Sequence, residues 1–311
     1  MKIDLRSVLG KQLIVFDGGM GTMLQAAGLP AGVQGETWNL DEPEKVLRIQ
    51  KAYAAAGCDV LTANTFGANR LKYARTGRSV EETVQAGIRI ARQALAEGRP
   101  EDLCRVRGDG WVALDMGPTG QFLEPLGDLS FADCVEVYAE MVRAAEAMRT
   151  AQENREEDCG GADLILIETM IDLEETRAAV TAARENSDLP VIATVTLEKN
   201  GRMLLGADLE EMAETLEEAG ADALGLNCGF GPENMLEHLK TLRELTELPV
   251  LITPNAGLPR KEGDRIVYDI HPEEFSVLMK EIVAVGANAV GGCCGTTPAH
   301  MEAVVRSVRD E

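Results

Sequence analysis

AGADALGLN (residues 219–227) shares its grammar with three other stretches: AGCDVLTAN (56–64), GGADLILIE (160–168) and VGANAVGGC (285–293). In each, a glycine closes the preceding stretch, an Asp or Asn follows within two residues, and a short apolar run begins. Glycine ends helices cheaply because it adopts the left-handed conformation without a steric penalty. A short run that is apolar throughout is the pattern of a strand covered on both faces. Helix, cap and strand repeated in this order predict parallel β/α units.

Four less regular units complete the set. Strands are expected at 13–16, 59–64, 111–116, 163–168, 191–197, 222–228, 249–253 and 288–294. The segments between them carry helical spacing. EPEKVLRIQKAYAAAG (42–57) is amphipathic and stops at Gly57. DLEEMAETLEEAG (208–220) opens on Asp208, carries acids in its first turn and stops at Gly220, each an end signal of a helix. Eight alternating units in 311 residues predict an α/β fold, a (β/α)8 TIM barrel forming a single domain over residues 1–311. A doubly wound open sheet is the alternative, because strand number alone does not establish closure. The stretch ENREEDCGG (153–161) reads as a helix end and loop rather than a linker.

The composition excludes several classes of partner. Thirty basic against 52 acidic side chains give a formal charge of −22. Such a chain repels a phosphate backbone or an anionic membrane surface, so no nucleic acid and no membrane is expected as partner. The strongly apolar stretches are too short to span a bilayer, and MKIDLRSVLG at the start lacks the apolar core of a signal peptide. Seven cysteines, two of them adjacent, do not form a disulfide framework. Reduced thiols and a cytoplasmic location are expected.

On a barrel, functional groups collect at the C-terminal strand ends. The polar residues falling there are Asp17, Asn64, Asp115, Glu168, Cys228, Asn255, Cys293 and Cys294. Cys58, Cys104, Cys134 and Cys159 read as small buried hydrophobes. Cys228, Cys293 and Cys294 are flanked by glycine at strand ends, where they pack little and are exposed to chemistry. Three thiolates suit Zn2+, which takes four ligands and keeps one place open when catalytic. With three thiolates the centre carries formal charge −1, a poor activator of water but a good holder of a substrate thiolate. The glycine-rich FDGGMGTMLQ (16–25) matches neither a P-loop nor a dinucleotide fingerprint. Asp17 there, and Glu168 at the end of an apolar run, are acids placed to hold an ammonium group. The three histidines lie in or beside helical stretches. DIHPEE (269–274) imitates a corrinoid-ligand pattern but has Glu274 where glycine is required.

Six motifs then act as a set: FDGGMGT (16–22), ETWNLDEPEKV (36–46), AGCDVLTANTFGAN (56–69), GLNCGFGP (225–232), PNAG (254–257) and GGCCGTTPAHM (291–301). Together they resemble the homocysteine S-methyltransferase family over nearly the whole chain. Within it they look most like the N-terminal homocysteine-binding module of cobalamin-dependent methionine synthases. The resemblance implies that Cys228, Cys293 and Cys294 bind catalytic Zn2+ and that Asn255 supplies a displaceable fourth ligand. It implies that Asp17 and Glu168 hold the amino acid end of homocysteine and that Asn64 lines the same mouth. The chain ends at Glu311 without the folate, cobalamin and reactivation modules of a full synthase. The implied reaction is methyl transfer to homocysteine to give methionine. Its implied donor is methylcobalamin, which no motif in this chain binds and which a cobalamin-binding protein or domain would carry. Alternatives are a small donor (S-methylmethionine or betaine), a barrel once fused to a methylenetetrahydrofolate reductase module, and a non-catalytic zinc- or thiol-binding scaffold.

Overall fold

The computed structural model describes residues 4–74, 76–100, 110–153, 160–262 and 265–309. Cys104, Cys159 and most of the stretch 153–161 lie outside the described residues. The strands are β1 (Ile14–Val15), β2 (Val60–Thr62), β3 (Trp111–Met116), β4 (Leu164–Met170), β5 (Val191–Val195), β6 (Ala223–Asn227), β7 (Val250–Thr253), β8 (Arg260–Glu262), β9 (Arg265–Val267) and β10 (Ala289–Val290). Eight of them form one parallel sheet in the order β1-β10-β7-β6-β5-β4-β3-β2. A parallel bridge between Phe16 and Val60 joins the two ends. Asp59 N donates to Val15 O at 2.6 Å and Asp17 N to Val60 O at 3.1 Å across the same seam. The sheet is thus the closed (β/α)8 barrel rather than the open alternative.

A helix follows each barrel strand, from Pro43–Ala55 after β1 to Pro298–Arg309 after β10. The end signals act as read. Asp208 caps Leu209–Ala219 in a reciprocal box with Glu211, and Gly220 closes it at φ 92°. The short antiparallel pair β8–β9 was not anticipated. It is exposed and charged in β8, so it carries no apolar run. The expected strand 288–294 is also shorter. Pairing stops at Val290, and the chain then turns over Gly292, where an added Cβ would lie 2.4 Å from Thr296 Oγ1.

Side chains alternate between two cores. Ile14, Trp111, Ala113, Leu164, Leu166, Ile192, Ala223, Leu251 and Ala289 fill the barrel interior. Their neighbours Val15, Val112, Leu114, Ile165, Val191, Leu224, Val250 and Val290 pack outward under the helices. The alternation is the two-residue period of a strand. Leu5, Val8 and Leu9, from the short helix Leu5–Val8 and the residue after it, join the interior cluster and close the N-terminal end.

The polar residue of the repeated grammar stands just before the strand, not within it. Its side chain accepts from the first backbone N–H groups of the neighbouring strand: Asp59 from Val15 N at 3.1 Å, Asp163 from Val112 N at 2.8 Å, Asp222 from Val191 N at 2.7 Å and Asn288 from Val250 N at 2.9 Å. An arginine then meets each of the four: Arg99, Arg92, Arg184 and Arg243. Among the described residues no helix is long and apolar enough to cross a membrane.

The Arg99–Asp59 pair, at 2.9 Å, is the most deeply buried of these, with side chains 5% and 0% exposed. Removing one partner of a buried pair strands the other charge. Asp59→Ala should therefore destabilise the fold by about 3–5 kcal/mol, read as a lower urea midpoint. An unchanged midpoint would mean that the rim pairing carries no stability.

Candidate metal centre at the barrel mouth

The three thiols come from two strand ends. Cys228 follows β6 directly, and its N–H donates to Thr253 O at 3.1 Å. Its φ of 57° is an uncommon conformation for a residue with a side chain, and such strain gathers at functional sites. Cys293 and Cys294 sit on the turn after β10. Cys293 N donates to Pro254 O at 2.8 Å, Cys294 N to Asn255 Oδ1 at 3.0 Å, and Thr296 Oγ1 to Cys293 O at 2.6 Å. The three Sγ atoms lie within 4.8 Å of one another.

Thiols this close act on one another's acidity. Hydrogen bonds from Cys293 and Cys294, with help from Gly229 N–H and the Asn255 side chain, push the Cys228 thiol far below its ordinary value. Cys293 and Cys294, acting as donors to Cys228, are held above theirs. A divalent cation would reverse this by favouring all three thiolates. The donor set is soft, all sulfur, and opens to a cavity on one side, which fits Zn2+ with a vacant fourth position.

The centre forms part of the wall of a cavity of about 480 Å3. Asp17, Asn64, Asp115 and Glu168 line the same cavity, with Met20, Leu24 and Phe66 on its apolar side. Asp17 is 3% exposed. Thr62 fixes it twice, through its N–H and its Oγ1, both at 2.9 Å. Burial nevertheless pushes the Asp17 carboxyl up to about 7. Glu168 is raised to about 8, first by burial and then by repulsion from Asp17 and Cys228. It stands in a bulge of β4, where the register with β5 shifts between Ile167 and Met170. The next residue, Thr169, has φ 60°.

Asn64 reaches the cavity wall, but its amide is committed elsewhere. It donates to Gly35 O at 3.0 Å and Asn39 Oδ1 at 2.9 Å, and so ties down the loop after β1. Asn255 lies beside the sulfurs. Its Oδ1 accepts the Cys294 N–H, and its side chain also bonds Cys228.

Three contributors were not anticipated. Asn227 Oδ1 accepts from Thr169 N at 2.8 Å and Thr194 Oγ1 at 2.9 Å, and its Nδ2 donates to Thr169 Oγ1 at 2.7 Å. That locks the bulge carrying Glu168 and points the same amide toward Cys293 Sγ, 4.0 Å away. Tyr268, beyond β9, lies close enough to Cys294 for its hydroxyl to favour the Cys294 thiolate. Its ring lies against Gly295, where a Cβ would fall 2.2 Å from Tyr268 Cγ. Thr62 is the third. An asparagine in the otherwise apolar GLN before Cys228 was a legible signal. Nothing in the sequence marks Tyr268 or Thr62.

Known proteins match this chain in sequence and fold. The family model described as homocysteine S-methyltransferase matches residues 14–308. The chain is 37% identical to methionine synthase of Mycobacterium tuberculosis (strain ATCC 25618 / H37Rv) over 98% of its own length and 25% of that protein. It is 35% identical to methionine synthase of Mycobacterium leprae (strain TN), with the same coverage. The chain thus spans about a quarter of the length of the curated relatives it matches. The metallated form of the Escherichia coli homocysteine methyltransferase MmuM superposes with a TM-score of 0.77 at 22% identity. That match covers 98% of this chain and 99% of the other. At that identity it establishes the fold.

The raised carboxyls make stability depend on pH. Their ordinary values of 3.8 and 4.5 rise to about 7 and about 8 in the folded chain. The folded state therefore binds protons that the unfolded state has already lost. The associated stability is fully present below the ordinary values and disappears as pH rises through the folded ones. With neither metal nor ligand bound, Tm should fall between about pH 4 and pH 8. Glu168→Gln should flatten that fall. A profile identical to wild type would remove Glu168 from the account.

Proposed function

Because the chain belongs to the homocysteine S-methyltransferase family, we propose that it methylates the thiol of homocysteine to give methionine, with methylcobalamin on another domain or protein as the donor. The observation that carries the reading is the group of three cysteine sulfurs within 4.8 Å, facing the cavity that Asp17 and Glu168 also line. A thiol and an ammonium on one small molecule would meet their complements there at once. We read residues 1–311 as one barrel domain working in the cytoplasm.

Cys228, Cys293 and Cys294 would hold Zn2+, with the fourth position for the substrate sulfur and Asn255 as its stand-in. The chemistry Zn2+ supplies in such a set is positive charge that keeps a substrate thiol ionised near neutral pH. Tyr268 and the Asn255 side chain lie close enough to the cysteine sulfurs to favour their thiolates. Asp17, held by both Thr62 donors, and Glu168, held in its bulge by Asn227, fix the substrate ammonium. The substrate thiol gives its proton to solvent on binding. Its sulfur then takes the methyl group, and the bonding pair leaves with the donor. Met20, Leu24 and Phe66 keep water from the apolar side of the cavity.

The relatives named methionine synthase, four times longer than this chain, support a corrinoid donor on a neighbouring module. The second reading is a small donor such as S-methylmethionine or betaine, which would need no neighbouring module. Purified chain, homocysteine and each donor in turn decide between them. Free methylcobalamin should give slow turnover, accelerated by a cobalamin-carrying partner because tethering raises effective concentration. Fast turnover with S-methylmethionine or betaine, and none with methylcobalamin, would replace the corrinoid reading and leave the acceptor side standing.

The metal is tested apart from turnover. Protein purified under reducing conditions should contain one Zn2+ per chain, about one equivalent by elemental analysis. Cys293→Ala and Cys228→Ala should lose it while keeping the wild-type circular dichroism spectrum, since the barrel core supplies the stability. Full zinc content in either variant would refute the ligand set.

A further inference from the structure

Four acids line the mouth: Asp17, Glu36, Asp115 and Glu168. Glu36 is engaged by Gly67 N at 2.6 Å, whereas Asp115 has no assigned task and unusual surroundings. It lies two residues beyond Ala113 and four beyond Trp111, both of which pack inside the barrel. By the two-residue period it faces inward as well. In the parallel register it stands opposite Leu166, another interior residue, and the next inward position on β4 is Glu168. Its backbone is locked. Asp115 N donates to Thr65 Oγ1 at 3.1 Å, and the same hydroxyl donates to Asp115 O at 2.8 Å.

The carboxyl is not locked. Asp115 is 6% exposed and lines the cavity, yet its Oδ1 is buried with no hydrogen-bond partner. Thr253 Oγ1, on another lining residue, is also buried without one. Burial raises the Asp115 carboxyl well above its ordinary value, and repulsion from Glu168, Asp17 and Glu36 adds to the shift. Lys72 lies near enough to oppose it, but its ammonium sits over the Phe66 ring, 5.2 Å from the centroid. A buried carboxyl with an empty acceptor is costly to keep. It is retained where a ligand supplies the missing donor.

We propose that Asp115 is a specificity-determining residue that accepts one N–H of the substrate α-ammonium group, alongside Asp17 and Glu168. This rests on the homocysteine reading above. An ammonium group carries three N–H donors and no acceptor, and three carboxyl groups lining one cavity, Asp17 beyond β1, Asp115 on β3 and Glu168 on β4, provide one acceptor for each. A thiol lacking the amino group leaves all three carboxyls facing one another across an apolar cavity. Selection for amino acids over simple mercaptans follows from that arrangement rather than from pocket shape.

The test is calorimetric binding to the zinc-loaded protein with three probes: homocysteine, 3-mercaptopropylamine, which keeps the amine, and 4-mercaptobutyrate, which lacks it. Asp115→Asn should weaken the two amine-bearing ligands about 10- to 100-fold, the range for a hydrogen bond to a charged group, and leave 4-mercaptobutyrate unchanged. The ligand-free, zinc-loaded variant should have a higher Tm than wild type, because an unpaired buried carboxyl has been removed. Equal losses for all three probes, no loss for any, or a lower ligand-free Tm would make Asp115 a structural acid and overturn the proposal. If the wild-type protein itself binds no homocysteine, the functional reading falls along with it, and that outcome is distinct from a variant that matches a competent wild type.

Discussion

The barrel depends on an interaction at the end opposite the chemistry. A parallel strand begins with an N–H group that its neighbour's carbonyls do not reach, and a buried donor of that kind must find an acceptor. Asp59, Asp163, Asp222 and Asn288 supply it from the adjacent strand start, and Arg99, Arg92, Arg184 and Arg243 neutralise or orient them. Register is thereby pinned at one rim. Because side chains alternate with a period of two, fixing register at the base fixes which residues face inward at the top. Asp115 and Glu168 point into the mouth because Asp163 is anchored below them.

Along each strand the inward positions change character with height. Trp111 and Ala113 give way to Asp115, Leu164 and Leu166 to Glu168, Ile192 to Thr194, and Leu251 to Thr253. The lower layers satisfy packing. The upper layer violates it, collecting buried acids and thiols that repel one another. Local inconsistency of this kind marks a site whose ligand completes it. The charges that would relieve it are positive ones, a divalent ion at the sulfurs and an ammonium at the carboxyls.

The eight barrel strands were legible because each is an apolar run with punctuation on both sides, whereas closure was not, since strand number alone also allows an open sheet and the Phe16–Val60 bridge is a tertiary contact. The β8–β9 pair was not, since exposed ribbons built from residues such as Arg260, Lys261 and Glu262 lack any burial pattern. The last barrel strand was read too long, because Gly291 and Gly292 continue an apolar composition after pairing has ended. At the site, Cys228, Cys293 and Cys294 could be picked out by position, and the structure brings their sulfurs together. Asn64 could be placed at the mouth, but not the commitment of its amide to Gly35 and Asn39. Contacts such as Thr62 to Asp17, 45 residues apart, or Tyr268 to Cys294 arise from tertiary approach. No periodicity encodes them, and threonine and tyrosine are too common to stand out.

The N-terminal helix Leu5–Val8 seals the base with Leu5, Val8 and Leu9 packed beneath Trp111. The cavity lies at the other end of the strands, among Asp17, Asn64, Asp115, Glu168 and the three cysteines. Three apolar side chains thus separate the buried acids and thiols from solvent at the base without touching any of them, so in the proposed reaction acceptor and donor would both approach from the side of the strand ends.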